Sequence, residues 1–305
     1  MSKVVLITGA TGKQGGATVD ALLSSPQASD FTILAVTRSP SSGSAQRLVS
    51  RGCKIVQGDL HDVPGIFKSA REVTTHPIWG VFSVQVPMGK NASPGAEEKQ
   101  GKDLVDEAIK QGVKHFVYTS VERGGPNSYE NPTKVPHFIS KHNIEHHLHD
   151  ATAKDGSMSY TILRPVAFMD NVTPNFFGKM FDTAWKAGLG DKKLQLVAVA
   201  DIGYMAAQAF IKPDEYKNRA VGLAGAELSF KEANKIFKEK VGVDMPVTFE
   251  FMGSALLWGV AEMGLMFKWF NDVGYGVDIA ALRNEHPGLL DFGSWVEKKS
   301  GFAKK

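Results

Sequence analysis

Cysteine is almost absent from this chain: Cys53 is the one thiol among 305 residues. That excludes an internal disulfide framework and fits a reducing compartment, so a cytoplasmic location is expected. Cys53 opens the apolar run "CKIVQ", which points to a buried structural thiol rather than a nucleophile. An excess of charge of either sign is also missing. The 35 Lys and Arg against 32 Asp and Glu leave a net +3, and the basic residues are dispersed. No electrostatic footprint for nucleic acid or a membrane surface results. Long clean hydrophobic runs are lacking too. The most membrane-like stretch, "FMGSALLWGVAEMGLMF" (251–267), carries Glu262 and ends at Lys268, short of the roughly 20 apolar residues a span needs. A buried or pocket-lining helix is expected there. "MSKVVLITGATG" has neither the apolar core nor the cleavage site of a signal peptide, so the "NAS" at 91–93 is discounted as a glycosylation acceptor.

What is present is a globular composition, 43% hydrophobic and 22% charged, in a chain long enough to bury a substantial core. The first half alternates short β-branched runs with amphipathic stretches. The runs are "KVVLIT" (3–8), "FTILAVT" (31–37), "CKIVQ" (53–57), "IWGVFSV" (78–84) and "KHFVYTS" (114–120). Each is nearly continuously apolar, as strands covered on both faces must be. Helices are expected near 14–24, 43–51, 62–71, 95–111 and 134–154, the third started by Asp62 with Pro64 in its first turn. "MSYTILRP" (158–165) reads as a sixth strand. "LQLVAV" (194–199) and "RAVGLAG" (219–225) read as shorter ones, with a helix opened by Asp201 between them and a capping box "SFKE" (229–232) after them. The fold class is therefore α/β, a doubly wound parallel sheet. It is expected to span 1–165, with the strands near 194–199 and 219–225 returning to it. The rest, 166–192 and 226–305, reads as a smaller, mostly helical substrate-binding lid over an apolar cleft.

The first strand–helix junction, "TGATGKQGG", carries Gly9, Gly12 and Gly15 with Thr11 in the turn. Glycine here permits the tight turn and the close approach of main chain to a pyrophosphate at the helix N-terminus. A nucleoside-triphosphate loop is excluded, since no Ser or Thr follows Lys13. At the end of the second strand an NAD site would place an acidic residue, but "AVTRSP" offers Thr37 and Arg38. A guanidinium there suits a 2′-phosphate, so NADP is the expected cofactor. Asp59, in "QGDL" after the third strand, either borders the adenine or shapes the loop before the helix.

Together "TGATGKQGG", "VTRSP", "GDL", "FVYTSVERGG", "VPHFISK", "LRPVAFMDN" and "HPGLLDFGSWVEK" resemble the NmrA-like family of atypical short-chain dehydrogenases, over essentially the whole chain. The resemblance implies a Rossmann domain with a small C-terminal substrate domain. It also implies NADP(H) contacts from Gly9, Gly12, Gly15, Arg38, Asp59, Lys141 and the strand-end residues Val84 and Pro165. The family includes NADP(H)-sensing regulators as well as quinone, aldehyde and biosynthetic reductases. Active short-chain dehydrogenases use Ser, Tyr and Lys. Here His137 occupies the Tyr position with Lys141 intact, and Ser120 lies close to the Ser position.

Two functions follow. In the first, the protein is an NADPH-dependent reductase of a small apolar carbonyl, enone, quinone or imine, with His137 as proton donor and Tyr129 or Ser120 expected to share that role. Phe168 and Asn171 would line the nicotinamide end. In the second, it is a non-catalytic NADP(H) sensor that acts on a protein partner. The segment "PHFISKHNIEHHLHD" (136–150) also contains H-x-x-E-H, a zinc peptidase signature. It follows the fifth strand, where the Lys-bearing helix belongs. At helical spacing His137, Lys141, Ile144 and Leu148 form one stripe, while His142, His146 and His149 lie about 100° further round. The zinc reading is set aside. Trp258, Phe267, Trp269 and Phe270 are expected in the core rather than in a pocket.

Overall fold

Seven of the eight apolar runs become neighbouring strands of one sheet. The structure is a computed structural model that describes residues 2–85, 95–248 and 261–302. The NAS triplet, Trp258 and most of 251–267 lie outside the described residues. Strands β1 (Lys3–Ile7), β2 (Phe31–Thr37), β3 (Lys54–Gln57), β4 (Ile78–Ser83), β5 (His115–Thr119) and β6 (Ser159–Pro165) join a later edge strand, Arg219–Leu223 (β9). The order is β3-β2-β1-β4-β5-β6-β9. Pairing is parallel from β3 through to β6. All five residues of β5 are buried, as expected for a strand covered on both faces. The order reverses between β1 and β4, and open α/β sheets hold ligands beyond the strand ends at such a switch point.

Helices α1 (Lys13–Leu23), α2 (Gly43–Ser50), α3 (Val63–Val73), α4 (Ala96–Lys110) and α5 (Pro136–Asp155) lie within about two residues of their expected places. Their starts follow local chemistry. Asp62 caps α3 by accepting from the Gly65 N–H, with Pro64 in the first turn. Ser42 does the same for α2 through Ala45.

The chain forms two compact units. The first comprises Met1–Ser120, Ser140–Arg164 and Ile202–Val221; the second comprises Val121–Ile139, Pro165–Asp201 and Gly222–Lys305. In the first, aliphatic side chains of the sheet (Leu6, Leu34, Val56, Val81) meet Ile66, Leu104, Ile144 and Leu148 from the helices. The second is aromatic, with Phe181, Trp185, Phe237, Phe267, Phe292 and Trp295 in its core. Phe267, Trp269 and Phe270 are all buried, in line with the core reading.

Three expectations need correction. The segment near 194–199 does not return to the main sheet. Its strand β8 (Leu194–Val197) lies between β7 (Ala167–Phe168) and β10 (Ala226–Leu228) in a separate three-stranded sheet, so the second unit is not built of helices alone. A four-residue apolar run does not specify which sheet takes it; β8 is claimed by its antiparallel partner β10 and its parallel partner β7. The boundary at 165 also does not hold as a single cut, because Val121–Ile139 joins the second unit. Finally, helix α7 (Val199–Ile211) begins two residues before Asp201, whose carboxylate instead accepts from the Leu290 N–H (3.1 Å) and bonds His286 Nε2 (2.8 Å).

The remaining α-helices among the described residues are α6 (Phe176–Leu189), α8 (Pro213–Tyr216), α9 (Phe230–Val241), α10 (Ala261–Asp272), α11 (Ile279–Glu285) and α12 (Phe292–Lys298). Helix α9 opens on the expected capping box, Ser229 and Glu232 bonding each other's main-chain N–H. No helix among the described residues is long and apolar enough to cross a membrane.

Candidate functional site

In the first unit, the turn between β1 and α1 is shaped for close approach. Gly9 has φ +59°, in the left-handed region, and its carbonyl accepts from the Gly12 N–H at 2.8 Å. A Cβ at Gly15 would stand 2.3 Å from the Gly9 carbonyl oxygen and 2.6 Å from that of Thr8, so only glycine lets α1 start this near the strand. Gly12 is the N-cap of α1 and brings no side-chain cap, so the first N–H groups of α1 receive no capping bond from it. Gly9, Thr11 and Gly12 are exposed. Thr8 Oγ1 accepts from the Val84 N–H (2.9 Å) and donates towards the Phe82 and Val84 carbonyls (3.1 and 3.2 Å), which ties β1 to the end of β4. Val84 thereby sits beside Gly9, its Cγ1 2.6 Å from where a Cβ would be. Gly9, Gly12, Gly15 and Val84 are brought together as expected.

Gln85 and Gln14 emerge only with the structure. Gln85 is buried; its amide donates to Ser83 Oγ (2.8 Å), while its carbonyl oxygen accepts no hydrogen bond from the described residues. A buried acceptor left open next to Val84 is suited to a donor on a bound ligand. Gln14 Oε1 accepts from Thr119 Oγ1 at 2.6 Å and fastens the first turn of α1 to the end of β5. At the end of β2, Arg38 is largely exposed, and its guanidinium lies 4.0 Å from the Asp59 carboxylate. Asp59 accepts from the His61 N–H (3.0 Å), so it shapes the loop before α3. Ser120 is buried and donates its main-chain N–H to the Leu163 carbonyl at 2.7 Å.

Lys141, on α5, is buried and ion-paired with Glu97 of α4 (Nζ–Oε1 2.8 Å). Glu97 was not legible as a partner. Glu145, which the zinc motif would make a base, is fully buried and gripped by Arg164: Nη2–Oε2 is 2.6 Å, and Nε lies 3.2 Å from both oxygens. The expected stripe is present. Lys141, Ile144 and Leu148 are buried, while His142 and His146 are partly exposed with ring centroids 4.2 Å apart.

In the second unit the loop after Val121 is locked from within. Arg123 is fully buried and donates to the carbonyls of Ser128, Asn131 and Val121 at 2.7–3.1 Å. Glu122 accepts from the N–H groups of Gly124 (2.9 Å), Gly125 and Gly276 (3.0 Å) and from Ser128 Oγ (2.9 Å). This loop carries Tyr129, half-buried, and leads into His137 in the first turn of α5. The His137 ring meets Glu262 of α10: Nδ1–Oε1 is 2.6 Å, and the same oxygen accepts the His137 main-chain N–H at 3.1 Å. Pro165 is buried, its carbonyl accepting from the Glu122 N–H at 3.0 Å. Phe168 and Asn171, around the end of β7, are half-buried. The site residues thus divide, with the glycine loop, Arg38, Asp59, Val84, Ser120 and Lys141 in the first unit and His137, Tyr129 and Pro165 in the second.

A glycine turn at a switch point, an uncapped helix start and an arginine at the end of β2 define a Rossmann-type α/β protein whose first unit suits a phosphorylated dinucleotide. The NmrA-like family profile matches residues 1–290, and the chain belongs to that family. It is 26% identical to the NmrA-like family domain-containing oxidoreductase FrzB of Cladobotryum sp over 266 residues, 79% of this chain and 74% of that protein. Among solved structures, triphenylmethane reductase of Citrobacter sp., complexed with NADP(H), superposes with TM-score 0.72 at 19% identity, covering 98% of this chain and 99% of that one. NmrA, a negative transcriptional regulator in complex with NADP, superposes with TM-score 0.69 at 15% identity over 98% and 95%.

Proposed function

We infer that the protein is an NADPH-dependent reductase of a small apolar carbonyl, enone, quinone or imine, with His137 supplying the proton. The observation that carries this reading is the cradle at the switch point, where Gly15 admits no Cβ and the Gln85 carbonyl lies buried and open. Gly9, Gly12, Gly15 and Val84 would hold the dinucleotide, with Arg38 at its 2′-phosphate and Lys141 at its nicotinamide ribose. The bound cofactor supplies a hydride; the protein orients the substrate, excludes water and delivers one proton. An imidazole at the tyrosine position can give that proton to the substrate heteroatom and regain it from solvent, because it exchanges near neutral pH. Relatives named as oxidoreductases over most of their length support the class.

Two measurements test the reading. NADPH absorbance is followed with quinones, enones, aldehydes and imines; at least one class should be reduced, and His137→Gln should lower kcat about 10²- to 10⁴-fold with NADPH binding retained. Tight NADPH binding without turnover on any of them would sink the enzyme. It would favour the sensor reading instead, which the loss of tyrosine and the likeness to a transcriptional regulator support. Separately, Arg38→Ala should weaken NADPH about tenfold or more and leave NADH unchanged, the behaviour of a guanidinium reading a 2′-phosphate. Equal losses for both cofactors would remove Arg38 from that role.

A further inference from the structure

Glu262 contacts His137 from an element 125 residues away in sequence, and one carboxylate oxygen serves two donors. The first is the His137 main-chain N–H. Helix α5 starts at Pro136, which has no N–H, so this is the first donor at its N-terminus without an intrahelical partner. A neutral acceptor would satisfy it equally well. The second is the ring itself, Nδ1 at 2.6 Å, with the two side chains only 12% and 27% exposed. A carboxylate accepts and does not donate, so at this distance the proton of the neutral imidazole resides on Nδ1. The ring is also fixed on another side. Its centroid lies 4.7 Å from Phe138 in an edge-to-face contact, and Phe138 meets Trp269, two turns along Glu262's own helix, at 5.3 Å in the same geometry. Helix α10 thus touches the imidazole directly through Glu262 and backs its aromatic neighbour Phe138 through Trp269.

We propose that Glu262 is the positioning residue of a His137–Glu262 dyad: it holds the imidazole in the Nδ1–H tautomer so that Nε2 is the atom that passes the proton to substrate. This rests on the reductase reading above. In the reaction two electrons and one proton arrive as hydride, and the second proton leaves Nε2 of the imidazolium. The neutral ring left behind keeps its Nδ1–H on Glu262 and takes a new proton from water. Glu262 remains a carboxylate throughout and touches no reacting atom. Its contribution is to remove the wrong tautomer and the wrong ring orientation before the substrate arrives.

The test uses the full chain with Glu262→Gln and His137→Gln. Glutamine keeps an oxygen for the main-chain N–H, so the start of α5 is preserved, but its amide no longer dictates which ring nitrogen carries the proton. Imidazole ¹⁵N shifts are read first, with the His137 signal identified by its loss in His137→Gln. The parent should show Nδ1 protonated, and Glu262→Gln should show a mixture of tautomers. In turnover, Glu262→Gln should lower kcat about 10- to 100-fold while KM and the NADPH dissociation constant stay put; a helix cap alone would move none of these. Glu262→Gln that retains both kcat and the Nδ1 signature, while His137→Gln is inactive, overturns the dyad and leaves the reductase reading standing. His137→Gln with full kcat overturns the dyad together with His137 as donor. If no substrate consumes NADPH the reductase reading fails, and the ¹⁵N shifts alone decide whether Glu262 sets the tautomer.

Discussion

Glu145→Ala is expected to destabilise the protein by about 3–5 kcal/mol, seen as a large fall in the urea midpoint. The carboxylate is fully buried and accepts from both the Nε and the Nη2 of Arg164, which is itself buried. Truncation strands the guanidinium in a low-dielectric interior, where an unpaired charge costs far more than the pair contributes. The double variant Glu145→Leu with Arg164→Met removes both charges and keeps the volume; it should recover most of the loss. Equal destabilisation by the single and double variants would mean that packing, not the stranded charge, is responsible. The same geometry commits the glutamate of the H-x-x-E-H string to the protein's own arginine.

Between about pH 6.5 and about 8 the parent should lose roughly 2 kcal/mol of stability, at about 1.4 kcal/mol per pH unit, and Asp182→Asn should abolish that loss. Asp182 is fully buried on α6, and neither of its oxygens has a hydrogen-bond partner among the described residues. Burial pushes its carboxyl from 3.8 up to about 8. Between those values the native state keeps a proton that the unfolded chain has released, so stability declines as pH rises and levels off once both states are ionised. His115 acts with the opposite sign. Burial, followed by the charge of Lys3, lowers it from 6.5 to about 4, so its contribution is complete above 6.5 and is lost as pH falls. The two slopes offset each other below 6.5 and leave Asp182 unopposed above it. In Asp182→Asn the slope of His115 should emerge alone between about 4 and 6.5. Unfolding free energies from urea titrations across pH 4–9 check both. A parent curve flat from 6.5 to 8 would place the Asp182 carboxyl in a better solvated setting than its burial implies.

The strands were legible because a parallel sheet covered on both faces demands continuous apolar runs, and "HFVYT" and "VVLI" recur in alternation with amphipathic stretches. The glycine loop was legible for a similar reason: three glycines at a strand–helix junction meet a steric demand that other residues cannot. The destination of "LQLV" was hidden, because four apolar residues fit either sheet and the choice lies with partners at 167–168 and 226–228. Partners of charged residues were hidden as well. Lys141 was visible as a residue of interest, but Glu97 was one acid among many on an exposed-looking helix. Glu262 gave the best signal that went unread. It is the single carboxylate in the apolar run 251–267, where its plainest effect is to bar membrane insertion. A lone acid in such a run calls for a partner, and the partner is His137, in the first turn of α5.

The interleaving of the two units sets an order for biosynthesis. The first unit is not complete when β6 leaves the ribosome, because most of its edge strand β9 and of helix α7 comes from Ile202–Val221, after a segment that belongs to the second unit. Until then the outer edge of β6 presents unpaired N–H and C=O groups, which invite pairing with another nascent chain. The second unit waits longer still, since its first segment, Val121–Ile139, is synthesised well before its last, Gly222–Lys305. A ribosome stalled near residue 200 would therefore hold two unfinished bodies at once, and neither unit can be cut out as a continuous gene fragment.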